Sequence, residues 1–373
     1  MDNQYADDAI HITSELEELV DQPEPVGADK SRRSFIWLQA IAFLLGLALL
    51  IYVINRVGLQ PLFDALLRIG FGFFLLLGIS GLRHVFRTIA MSAAVPKEHR
   101  GFTFMQAFAA RLGGEAISFL TFTGPLLGEA TKVALLRKRV PLTYGVPALV
   151  VDNLLYNMSV VFFILSGACV MLLTYTLPAP VYYALMAIAS LAALGIAGAA
   201  LAARRRIMLI TWLMDQMARL RLSPKVILKR RQHINHIESK VYDFYKHHPG
   251  VFFGMIACDL LSHVTSVVEV YVTLRMLDFD PLVSQAYIIE SLTKVINFVF
   301  AFVPGTIGVY EGSTEIVLQA LGFAAATGVA LALVRKAGTI FWTSIGLLIL
   351  TWRALPNAWY TLTRRSSDLK SVV

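Results

Sequence analysis

Two charged pairs stand in stretches that are otherwise apolar. Arg111 and Glu115 are four residues apart, as are Glu290 and Lys294, so on a helix each pair shares a face and can close a salt bridge. Each pair precedes a break in the apolar pattern. The breaks are Thr123-Gly124-Pro125-Leu126-Leu127-Gly128-Glu129 and Val303-Pro304-Gly305-Thr306-Ile307-Gly308-Val309-Tyr310-Glu311. Glycines there permit unusual backbone angles, and the prolines stop the incoming helix. New helices are expected from about Leu127 and Tyr310. Their free N–H groups offer a place for phosphate or another anion, with Lys132 one turn further on. Glu129 and Glu311 would serve equally well as charge complements of those helix starts.

Further charges lie within the apolar runs. Arg83 and Arg87 share a helical face beside His84, either snorkelling toward the membrane interface or binding an acidic headgroup. Asp259, His263 and Glu269 could form a proton relay, and Asp152 and Arg335 sit early in later apolar runs. A charge at the bilayer centre costs ~2.5 to 3.5 kcal/mol, so this many imply a task. No phosphate loop, HExxH helix or GxSxG elbow is present, so ATP hydrolysis and familiar hydrolase chemistry have no visible seat. No catalytic residue, cofactor or metal site is expected. His233, His236, His247 and His248 fall in a Lys- and Arg-rich segment where surface histidines are the default.

The elements that position these residues are long and apolar. Of 373 residues, 57% are hydrophobic and only 16% charged, too little polar surface to cover a soluble globule. Cys169 and Cys258, both in apolar runs, read as small core residues. Six stretches are long enough to cross ~30 Å of hydrocarbon: Phe35 to Ile54, Ile69 to Val95, Gly145 to Leu173, Val181 to Ala203, Val251 to Met276 and Val329 to Leu355. Lys and Arg gather in segments 30–33, 97–100, 132–139, 204–248 and 353–370, which hold 24 of them. The positive-inside rule then places both termini in the cytoplasm and explains the net charge of +8 without nucleic acid. With that orientation, segments 102–140 and 282–321 must each return to their starting side. They read as re-entrant hairpins.

The hairpins also resemble each other. Gln106-Ala107-Phe108 precedes Pro125 at the same ungapped distance as Gln285-Ala286-Tyr287 precedes Pro304. In that frame Arg111 meets Glu290, Glu115 meets Lys294 and Lys132 meets Glu311, each with its sign reversed. After a short gap in the following loop, Asp152 meets Arg335. The expected fold is all-α integral membrane, six spans plus two hairpins in an inverted-topology repeat. Residues 1–33 form an acidic tail, 34–173 the first repeat, 174–355 the second and 356–373 a cytoplasmic tail. Within the second, 204–248 reads as amphipathic helices lying on anionic lipids. If the hairpins meet at the midplane, Arg111 would face Glu290 and Glu115 would face Lys294 as a gate.

The run from Thr123 to Lys132, with its Gly128-Glu129, followed by Arg137-Lys138-Arg139 and Asp152, resembles the flippase-like membrane region of lysylphosphatidylglycerol synthases. Pro304-Gly305-Thr306-Ile307-Gly308-Val309-Tyr310-Glu311 resembles that family's second motif, Thr306 standing where a second glycine is usual. The likeness covers nearly all of residues 35–355. It implies movement of a lipid or lipid-linked molecule between leaflets of the cytoplasmic membrane. Only a short tail follows Leu355, so no aminoacyl-transfer domain and no lysylphosphatidylglycerol synthesis are expected. The alternative is an integral-membrane enzyme or accessory subunit of lipid biosynthesis, with Glu129 and Glu311 as acid/base groups.

Overall fold

A computed structural model describes residues 55, 59–121, 124–177, 179–205, 248–300 and 303–370. The predicted span Phe35–Ile54, the acidic tail 1–33 and nearly all of segment 204–248 lie outside these residues. Among the described residues all regular structure is helical. The α-helices are α1 (Leu59–Ile69), α2 (Gly72–Ala94), α3 (Phe104–Leu120), α4 (Gly124–Leu136), α5 (Leu142–Thr174), α6 (Ala179–Arg205), α7 (Pro249–Met276), α8 (Val283–Val299), α9 (Val309–Ala320) and α10 (Ala325–Lys370). Four of them, α2, α5, α7 and the Ala325–Trp352 part of α10, are long and apolar enough to cross a membrane. The apolar run of α6, Tyr182–Gly198, is shorter. α10 continues through the predicted tail to Lys370. Cys169 faces outward and is not a core residue, whereas Cys258 is half-buried and packs against the apolar cluster that contains Met255.

The two broken segments fold back on themselves. Arg139, just past α4, donates to the carbonyl of Gly101, just before α3. Gln285 at the start of α8 donates to the carbonyl of Leu321 at the end of α9 (3.5 Å). The matching glutamines of the two segments also do the same work. Gln106 Oε1 accepts from Thr103 N (3.0 Å) and Gln285 Oε1 from Leu282 N (2.9 Å), each satisfying a helix-entry N–H that has no partner within the helix. The first hairpin closes over glycines: a Cβ on Gly128 would lie 2.6 Å from the carbonyl oxygen of Gly114. That close backbone approach is the physical reason for the glycine in the first motif.

Helix packing has an exchange rule. α2 packs on α7; α3 packs on α4 and α8 on α9; α4 packs on α5 and α9 on α10. Each incoming hairpin arm also crosses to the other half, α3 onto α10 and α8 onto α5. Replacing α2–α5 by α7–α10 maps this pattern onto itself. The closest approaches follow the same rule. A Cβ on Gly346 would meet the carbonyl of Leu112, and a Cβ on Gly167 would meet Ser291; Leu112 and Ser291 occupy matching places in the hairpin frame. The largest buried apolar cluster among the described residues, including Met171, Leu185, Leu274, Ile288, Leu318 and Leu331, joins α5, α6, α7, α8, α9 and α10. Lipid tails are as apolar as these side chains, so close packing and interhelical polar bonds hold such helices together.

Candidate functional site

Three cavities of about 250, 230 and 460 Å³ meet among α2, α3, α5, α7, α8 and α10, and Arg83 and Asn297 line all three. Arg83 comes from the middle of α2. Its side chain keeps 29% exposure, and the nearest carboxylate oxygen, on Glu269, is 3.9 Å away. Among the described cations of the cavities it stands farthest from a carboxylate.

Arg87, one turn on, has a different place. It is buried, bonded to Asp259 of α7 and 3.5 Å from Asp152 of α5, with its guanidinium 3.8 Å over the Tyr156 ring. Neither snorkelling nor free headgroup binding describes it, because its charge is already engaged by two buried carboxylates that tie three helices together. The wall nearest α3 carries Glu115, whose Oε1 is 2.5 Å from Arg111 Nη2 and whose Oε2 is 2.9 Å from His84 Nδ1. Arg111 is buried, and its Nε and Nη1 have no hydrogen-bond partner among the described residues. The wall nearest α8 carries Glu290, 2.9 Å from Lys294 and 2.7 Å from Arg335. Arg335 also donates to Tyr310 Oη (3.0 Å) and lies 3.8 Å from Glu269.

Direct facing of Arg111 with Glu290 and of Glu115 with Lys294 is not the arrangement found. Each pair closes within its own helix, as four-residue spacing dictates, and the cross-helix partners are His84 and Arg335. Both pairs nevertheless line the 250 Å³ cavity.

The second break is held from outside. Gly305 (φ 62°) and Thr306 (φ 48°) lie in the left-handed region, the second a strained position for a β-branched residue. Glycine would meet that backbone demand without strain. Lys336 donates to the carbonyl of Gly305 (2.5 Å) and pairs with Glu311 (3.2 Å), while Glu311 Oε2 accepts from Gly308 N (2.7 Å). The start of α9 is therefore capped by Glu311 itself, and Pro304 opens the short turn ahead of it. In the first hairpin Lys132 is buried between the arms and bonded to Glu129 (2.5 Å).

Thus Arg83, Arg87, Arg111, Glu115, Glu290, Lys294, Gly305 and Arg335 come together around the cavities. Gly128, Glu129, Lys132, Asp152, Gly308 and Glu311 support the surrounding backbone and ion pairs instead. Sequence reasoning missed Asn297, Tyr156, Trp342 and Lys336 at the site. A signal existed for one: Asn297 matches Ser118 in the hairpin frame, and both line cavities. Two interhelical bonds obey the later frame as well. Trp342 donates to Ser80 Oγ (2.9 Å), and Ser159 bonds His263 Nε2 (3.0 Å); Ser80 corresponds to His263 and Ser159 to Trp342 by the same offset that takes Asp152 to Arg335.

This all-helical arrangement, with a charged centre between two broken-helix hairpins, defines an integral membrane protein with a polar cavity. Residues 39–346 match the family model of the lysylphosphatidylglycerol synthase TM region, and the chain belongs to that family. No significant match was found among curated proteins or among solved structures. Membership gives the chain a membrane, lipid-related setting.

Proposed function

We propose that the protein is a lipid flippase or transporter of the cytoplasmic membrane, without enzymatic activity, that carries an anionic headgroup through the chambers around Arg83 while the acyl chains trail in lipid. In this reading the chain crosses the membrane six times, and the α3–α4 and α8–α9 hairpins enter from opposite faces as an inverted repeat. The exchange rule of helix packing and the return of each hairpin to its start support that topology. The 204–248 segment would rest on anionic lipids of the inner leaflet.

The observation that carries the reading is a pair of incompletely engaged arginines on the chamber walls. Arg83 stands 3.9 Å from its nearest carboxylate, and Arg111 keeps Nε and Nη1 without a partner among the described residues. Buried guanidinium N–H groups without acceptors are costly, and an entering phosphate supplies the acceptors. Exposed Phe74, Leu75, Leu126, Leu127 and Phe298 supply apolar surface for lipid chains on the outer faces of the surrounding helices.

The test is reconstitution in vesicles with fluorescent phosphatidylglycerol, followed by quenching from outside. Transfer to the quencher-accessible leaflet without covalent change supports the reading. Recovery of a chemically modified lipid would overturn it in favour of a biosynthetic enzyme.

A further inference from the structure

We infer that His84 is a proton site coupled to the headgroup chamber, so that the protein takes up one proton on His84 Nε2 with each anionic headgroup it binds. This rests on the reading of the chamber as a headgroup site and adds its coupling ion.

The geometry gives the two ring nitrogens different jobs. Nδ1 lies 2.9 Å from Glu115 Oε2, so in the neutral ring it carries the hydrogen and donates to the carboxylate. Nε2 is then a lone-pair acceptor. It is buried and has no partner among the described residues, in a side chain that lines the 250 and 460 Å³ cavities. Cavities of that size and polarity can hold water, and a small tilt of the ring about its Glu115 bond brings the shielded Nε2 to it, which supplies a route for a proton. The Nδ1 hydrogen stays in place, so uptake adds one charge and breaks no bond to Glu115.

The charges that face the imidazole are Arg83 on its own helix and Arg111 and Glu115 on α3; α10 presents the Trp342 ring, 5.2 Å away. Across the chamber stand Arg87, Tyr156, His263 and the Glu290–Lys294–Arg335 group. An imidazolium beside Arg83 and Arg111 is opposed by like charge when the chamber is empty. A phosphate on Arg83 removes that opposition. Linkage makes the effect mutual: a bound anion favours the protonated ring, and protonation tightens anion binding. The sign follows directly, with tighter headgroup binding as pH falls. His263 is a poorer candidate, since its Nε2 is already bonded to Ser159.

Two measurements on the full chain test this. In detergent, nitrogen NMR of ring-labelled histidine should show a resonance, absent in His84→Gln, whose titration midpoint rises by about one pH unit when phosphatidylglycerol replaces phosphatidylcholine, equivalent to about tenfold coupling. A midpoint indifferent to the lipid overturns the inference, as does titration that survives in His84→Gln. Should that variant not fold, Glu115→Gln must shift the same midpoint. In vesicles, a pH difference of one unit should drive about tenfold asymmetry of phosphatidylglycerol in the wild type, one proton per headgroup. Transfer indifferent to pH, or driven by sodium, sinks the proton site and leaves the flippase standing. A lipid-dependent midpoint without transfer sinks the flippase and leaves the proton–anion site.

Discussion

Replacing Arg87 by Met separates an internal lock from a substrate contact. Arg87 is 4% exposed, and its partners Asp152 and Asp259 are fully buried. Among the described residues neither Asp152 oxygen has a hydrogen-bond partner, nor does Oδ2 of Asp259, so the guanidinium is the main compensation for two buried carboxylates. Arg87→Met therefore leaves two like charges uncompensated, and breaking a buried pair costs about 3–5 kcal/mol. At ~2 °C per kcal/mol for a chain of this size, the unfolding midpoint in detergent should fall by about 6–10 °C. Neutralising the acids as well, in Arg87→Met/Asp152→Asn/Asp259→Asn, should recover most of that loss, because an intact buried pair and its uncharged replacement are close in stability. The assay is thermal unfolding followed by the monodisperse fraction on size exclusion. A single variant with the wild-type midpoint would refute the reasoning. So would a triple variant no better than the single one.

Arg83→Gln should leave the midpoint within about 1 °C, since its side chain is partly exposed and 3.9 Å from its nearest acid, yet weaken binding of phosphatidylglycerol by about tenfold or more in a vesicle-binding titration. Gly128→Leu should prevent closure of the first hairpin and lower the yield of monodisperse protein; Gly128→Ala should do so less, since a lone methyl intrudes less than an isobutyl group although it still presses on the Gly114 carbonyl. Thr306→Gly should raise the unfolding midpoint by relieving a left-handed β-branched residue, worth roughly 1 kcal/mol, with a midpoint at or below wild type as the contrary result.

Much of the scaffold was legible because hydrophobic runs and helix breaks are local. α2 begins and ends within three residues of the run Ile69–Val95, and both broken segments form helical hairpins, but in the first the incoming helix ends at Leu120 and Gly124-Pro125 open α4, three residues ahead of the expected Leu127, because proline is tolerated in a helix's first turn. The alignment of Gln106 with Gln285 was legible for a local reason too, since both glutamines reach back to the residue three before them. Partner choice was not local. Four-residue spacing gave Arg111 to Glu115 and Glu290 to Lys294, but which long helix crosses each hairpin decides whether Glu290 meets Arg111 or Arg335. Because α8 is crossed by α5, and Arg335 reaches in from the start of α10, the second partner was invisible to spacing alone. Likewise Arg83 and Arg87 look alike on a helical wheel. Only the burial of Asp152 and Asp259 against the second arginine distinguishes a lock from an open cation.

The sign reversal between the halves follows from the exchange rule. Where two equivalent elements approach a common centre, identical charges would repel in a medium that screens them poorly, whereas opposite charges let both halves keep buried ions in equivalent places. The pattern extends beyond the hairpins: Asp152 on α5 meets Arg87 on α2, and Arg335 on α10 meets Glu269 on α7, an acid-to-base link answered by a base-to-acid one. The exchange then fails at one informative place. Glu311 is tied to α10 through Lys336, whose counterpart in the first half is Asn153, and that amide bonds the carbonyl of Leu149 in its own helix. Among the described residues Lys132, the counterpart of Glu311, pairs inside its own hairpin arm instead. The second hairpin is thereby anchored to the long helix behind it by a charged bond, and the first is held to its long helix by packing. Two halves that share a plan therefore differ in the bonds that hold each hairpin to its long helix, and moving the second hairpin away from α10 means breaking a buried ion pair that the first hairpin lacks among the described residues.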